Sequence, residues 1–73
     1  MNTKILINLG KNIKKYRLDA GLTQEELANK IGAHQTYIGK LELGMINPST
    51  KRLFEISRAL GITIPTLFDF DKK

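Results

Sequence analysis

The chain has 73 residues, no cysteine and one histidine, and a formal net charge of +5. A domain this small buries only about 60% of the surface its unfolded chain exposes, so compact helix packing, oligomerisation or both must hold it together without disulfides. The lack of cysteine beside a single histidine excludes an ordinary four-ligand structural zinc site, the basic balance points to an anionic partner, and no apolar run approaches the roughly 20 residues that span a bilayer.

The opening stretch MNTKILINL has an apolar part too short for a secretory signal, with no small-residue cleavage site after it. A cytoplasmic chain with no membrane partner is expected. Apolar residues then recur at helical spacing almost throughout, and no segment alternates as a strand does. In the first helix Leu6, Leu9, Ile13, Tyr16 and Ala20 form one stripe. Lys11, Lys14 and Lys15 lie off it and read as a solvated face sooner than as a clamp on DNA. Gly21 suits a left-handed helix end.

Thr23-Gln24-Glu25-Glu26 is a capping box, and Leu22 with Leu27 can form a hydrophobic staple across it. The second helix is expected from Gln24 to Ile31, ending at Gly32, with Leu27, Ala28 and Ile31 inward. Ala33-His34 makes a tight connection. A third helix follows over about Gln35–Leu43, with Ile38 and Leu41 inward and Gly44 as its stop. Asn47 or Ser49 can cap a fourth helix, with Pro48 tolerated in its first turn. Leu53, Ile56, Ala59 and Leu60 form its buried stripe, and Gly61 ends it. Ile64–Phe68, opening with Pro65, is a short fifth helix. The chain from Asp69 onward is polar.

Two short helices joined by a turn of about four residues, the first tightly capped, have the geometry of a helix-turn-helix. Ala28 is small where the next helix crosses close over it, Gly32 sits at the sharp turn, and Ile38 and Leu41 anchor the third helix. Its other face is left to Gln35, Thr36, Gly39 and Lys40, with His34 and Tyr37 at the edge. These residues suit base edges and phosphates: glutamine pairs bidentately with adenine, threonine offers a hydroxyl or a methyl, and lysine reaches guanine or a phosphate.

The stretch IKKYRLDAGLTQEELANKIGAHQTYIGKLELGMINPSTKRLFEISRALGITIPTLF, residues 13–68, resembles the phage-repressor-like (lambda repressor and Cro, or XRE) helix-turn-helix family. The resemblance rests on Arg17, the run from Gly21 to Ala28, Gly32, Tyr37-Ile38, Glu42, Gly44, Asn47-Pro48-Ser49 and Ala59-Leu60-Gly61. Tyr37-Ile38 after Gln35-Thr36, with the small size, is also similar to controller proteins of restriction–modification systems.

The resemblance implies an all-α fold, a compact five-helix bundle of the lambda repressor-like kind, that dimerises through its C-terminal part. It implies that Gln24 binds a phosphate and buttresses Gln35, that Gln35, Thr36 and Lys40 read or clamp the major groove, and that Arg17 and Glu42 form a structural ion pair. Leu43 and Ile46, around Met45, stand where the family often carries basic residues. That departure leaves apolar contact with thymine methyls and a partner interface both open. His34 stands in place of the commoner Ser or Asp cap.

The domain is expected over residues 1–70, with 71–73 as a polar tail. The residues expected on duplex DNA are Gln24, His34, Gln35, Thr36, Tyr37, Lys40, Asn47, Lys51 and Arg52, with Ile64, Leu67 and Phe68 at a homodimer interface. No cofactor, metal or small-molecule ligand is expected. An enzyme is not expected either, since one histidine and no cysteine leave no Ser/His or Cys/His pairing beyond His34 and a hydroxyl, and Glu25 and Glu26 are spent on a cap. The alternative is a protein-interaction module such as an antitoxin or anti-repressor, which the apolar Leu43, Met45 and Ile46 would suit.

Overall fold

The structure is a computed structural model and describes residues 2–70; the expected tail, 71–73, lies outside them. Five helices follow one another, with no strand among the described residues: α1 (Thr3–Asp19), α2 (Gln24–Lys30), α3 (Gln35–Glu42), α4 (Thr50–Leu60) and α5 (Ile64–Leu67). The all-α architecture read from the sequence is the one observed.

Local chemistry sets the helix ends. The Asn2 side chain accepts from the backbone N–H of Ile5 at the start of α1, and the Ser49 hydroxyl accepts from that of Arg52 at the start of α4. At the other ends, the first four helices stop on Gly21, Gly32, Gly44 and Gly61, all at positive φ. Each closes with the same pair of bonds. At the end of α2 these run from Gly32 N–H to the Asn29 carbonyl and from Ala33 N–H to the Ala28 carbonyl. This is the reciprocal closure in which a left-handed glycine lets the chain satisfy the last carbonyls.

Leu9, Ile13, Leu27, Ile38, Leu41, Ile56 and Leu67 are fully buried in one core. Around it pack Tyr16, Leu22, Ala33, Ile46, Ala59 and others, each half-buried. Three expectations are corrected. Ala20 is exposed, because it is the C-cap of α1 and lies past the last turn that faces the bundle. Arg17, four residues beyond Ile13, takes the inward position instead. Pro48 precedes the cap of α4 and lies buried in the loop, outside the helix.

The third correction is Leu67, expected on a dimer surface. It has no exposure at all. Asn12 holds the end of α5 against α1, its amide donating to the Leu67 carbonyl at 2.9 Å and the Asp69 carbonyl at 3.2 Å. That tether turns Leu67 into the core and leaves Ile64 and Phe68 half-buried beside it.

Helices α1 and α3 touch at their backbones. A Cβ at Gly10 would lie 2.5 Å from the Glu42 carbonyl oxygen and 2.6 Å from that of Leu41. Only a residue without a side chain lets α3 lie this close.

Candidate nucleic-acid interface

The capping box is formed as expected. Thr23 Oγ1 accepts from Glu26 N–H at 3.0 Å, and Glu26 Oε1 accepts from Thr23 N–H at 2.8 Å. The Thr23 backbone donor, and after it the Thr23 side chain, hold the Glu26 carboxyl below the usual carboxylate range. Leu22 packs on the core just before the cap, and Leu27 is buried just after. Together these fix the angle at which α2 leaves α1.

The turn from Ile31 to His34 carries the chain into α3. His34 is the N-cap, and its side chain makes no capping bond. Ile38 and Leu41 anchor α3 in the core, while Gln35, Thr36 and Lys40 stand exposed on its other side. Gly39, between them, is half-buried. A Cβ there would meet the Gln24 amide at 3.7 Å, an ordinary van der Waals contact.

Beneath this face lies a buried polar cluster. Arg17 Nε donates to Glu42 Oε2 at 2.6 Å, and Nη2 donates to Oε1 at 3.1 Å. Arg17 Nη1 donates to the Leu22 carbonyl at 2.8 Å, and Gln24 Nε2 donates to Glu42 Oε1 at 3.1 Å. No buried side-chain nitrogen or oxygen of the described residues lacks a partner. The cluster therefore ties α1, the α1–α2 turn, α2 and α3 into one piece. The ion pair read from the resemblance is present. Gln24, expected to buttress Gln35, bonds to Glu42 instead.

Of the nine residues expected on DNA, Gln24, His34, Gln35, Thr36 and Lys40 line one open cleft. Lys11, Lys14, Glu25, Asn29 and Leu43 share it. Tyr37, Asn47, Lys51 and Arg52 lie outside it. Asn47 and Lys51 are exposed beside the cap of α4. Arg52 bridges elements: Nη1 donates to the Ile31 carbonyl at 2.8 Å and to Glu55 Oε1 at 3.1 Å, and its guanidinium sits 5.2 Å from the Tyr37 ring centre. Burial pushes the Tyr37 phenol up.

Most of the chain matches known proteins. The Helix-turn-helix family profile matches residues 13–67. The chain belongs to the helix-turn-helix family. Among its relatives, an HTH-type transcriptional regulator of Archaeoglobus fulgidus is 42% identical over 59 residues, covering 81% of this chain and 84% of that one. The restriction–modification controller protein C.AhdI of Aeromonas hydrophila superposes with a TM-score of 0.83 at 33% identity, over 86% of this chain and 96% of that one. SinR, a master regulator of biofilm formation solved in complex with DNA, superposes with a TM-score of 0.78 at 35% identity, over 84% and 98%.

Within this helix-turn-helix, sequence reasoning missed Lys11 and Lys14 as part of the cleft. A signal was available: Gly10, Lys14 and Arg17 are spaced four and three, so they share one face of α1. It also grouped Ile46 with Leu43 and Met45 as free apolar surface. Ile46 packs on the core, while Leu43 and Met45 are 70% and 65% exposed.

Proposed function

We propose that this chain is a sequence-specific regulator of transcription that binds duplex DNA as a homodimer, with α3 in the major groove. The observation that carries the reading is the exposed row Gln35, Thr36 and Lys40 on a helix whose other side is locked into the core. With its side chains an α-helix is about 10–12 Å across, which fits a major groove about 12 Å wide. The DNA complex of SinR, a relative of the same fold, supports the same partner for this chain.

The size of one protomer favours the dimer. Its longest extent is 32 Å, and it presents one recognition helix. Palindromic half-sites in successive major grooves lie about 34 Å apart, so reading both takes two copies. Ile64 on α5 and Phe68 at its C-cap, both half-buried, are the expected contact; Leu67 is not.

Selection of binding sites from random duplex DNA tests this reading, with sedimentation of the complex alongside. A single (pseudo)palindromic motif bound by two protomers is expected. Enrichment of no motif, with retention of a protein partner instead, would favour the interaction-module alternative. Control of a restriction–modification operon is a finer reading, favoured by the match to C.AhdI along nearly its whole length. A methyltransferase and an endonuclease encoded beside this chain would support it.

A further inference from the structure

The cleft beside α3 has a second basic wall. We propose that Lys11 and Lys14, on α1, form a phosphate clamp that grips the DNA backbone passing the C-terminal end of α3. The inference rests on the DNA-binding reading above.

Three observations carry it. First, Lys11 and Lys14 line the same cleft as Gln35, Thr36 and Lys40. The placement is fixed by backbone, because Gly10 touches the Glu42 and Leu41 carbonyls and Arg17 bonds the Glu42 carboxylate. Lys14 lies one turn from each, so it must stand where α1 meets the end of α3.

Second, both lysines are exposed and uncommitted. The ion pairs of the described residues are Arg17–Glu42 and Arg52–Glu55. Three residues apart on a helix, the two ammonium groups rise from neighbouring positions on one face. Third, the cleft is electropositive. Lys11, Lys14 and Lys40 face one free carboxylate, Glu25, since Glu42 is neutralised by Arg17. The positions where basic residues were expected after α3 hold Leu43 and a core-packed Ile46. Neither offers a cation to an adjoining backbone, whereas α1 brings two to the cleft.

The competing structural role is a brace: lysines near the last carbonyls of α3 would stabilise its C-terminus. Salt dependence separates the two. Each phosphate neutralised contributes about 0.9 to the log–log slope of affinity against salt. The probes are a duplex carrying the site recovered by selection and an unrelated duplex of equal length. The variants are Lys11→Gln/Lys14→Gln and, as a control of equal charge, Lys15→Gln/Lys30→Gln, whose residues lie outside the cleft.

The clamp predicts a slope shallower by about 1.8 per bound protomer, about 3.6 for the dimer, for Lys11→Gln/Lys14→Gln on both duplexes, with the preference for the selected site retained. The control should keep the wild-type slope, and the melting temperatures should agree. An unchanged slope with a lowered melting temperature would overturn the clamp in favour of the brace. An equal loss of slope in the control would overturn it in favour of a general charge effect. If the wild-type chain binds neither duplex, the DNA-binding reading fails first, and the clamp with it.

Discussion

Cutting the Arg17–Glu42 pair from one side should cost far more than removing it whole. The two side chains are 7% and 3% exposed, so solvent screens little of their interaction. In Arg17→Met the Glu42 carboxylate keeps one donor, Gln24 Nε2 at 3.1 Å, and loses the cation. Stranding a buried charge in this way costs about 3–5 kcal/mol. At about 0.05–0.15 kcal/mol per residue, the whole domain has roughly 4–11 kcal/mol of stability. The loss is then about a quarter of the total or more, and the melting temperature should fall by more than about 10 °C.

In Arg17→Met/Glu42→Leu no charge is left behind. The double variant gives up the bonds to the Leu22 carbonyl and from Gln24, each worth about 1 kcal/mol, and should otherwise recover the loss. The other ion pair is a built-in contrast. Arg52 and Glu55 are about a third exposed, and Glu55→Gln should cost no more than about 1 kcal/mol. Urea unfolding followed by far-UV circular dichroism measures these four proteins and the single variant Glu42→Leu. A loss of less than about 1 kcal/mol in Arg17→Met, or a double variant that loses the sum of its single substitutions, would refute the reasoning.

Gly10→Ala should lower stability by about 1–3 kcal/mol, although alanine favours helix, because the new methyl meets the Glu42 and Leu41 carbonyls; a raised melting temperature would contradict the close crossing. The Glu26 carboxyl titrates lower in the fold than its free value of 4.5, so its contribution is present above that value and disappears as pH falls through the folded value. Glu26→Gln should therefore flatten the acid side of the stability curve, which unfolding at stepped pH reads directly. Gln35→Ala should weaken binding by about 1–3 kcal/mol and relax preference at one base pair. Binding to a panel of single-mismatch duplexes checks it, and equal losses on every sequence would show that Gln35 reads no base.

The features legible in the sequence were the local ones. Thr23 and Glu26 specify a capping box across three residues, and Gly32 specifies a turn from its own backbone freedom, so no tertiary context was needed. Leu9, Ile13, Ile38 and Leu41 followed from spacing. What escaped depends on contacts between elements distant in the chain. Ala20 continues the helical stripe, and only the way α1 ends against the bundle leaves it outside. Leu67 turns inward because Asn12 tethers the end of α5. The bond from Arg52 to the carbonyl of Ile31, 21 residues earlier in the chain, has no local sequence signal. In the cleft, the α3 side could be read from one amphipathic helix, whereas the α1 wall required knowing that Gly10 brings the two backbones together.

The central claim is that the outward side of α3 enters a groove of duplex DNA. Titrating the isotope-labelled chain with its selected duplex, and following backbone amide shifts, tests it most directly. The account predicts saturable shifts centred on Gln24 and on His34 to Lys40, extending to Lys11 and Lys14 and sparing the α5 end. Saturable shifts centred on α4 and α5, with α3 unmoved, would contradict it.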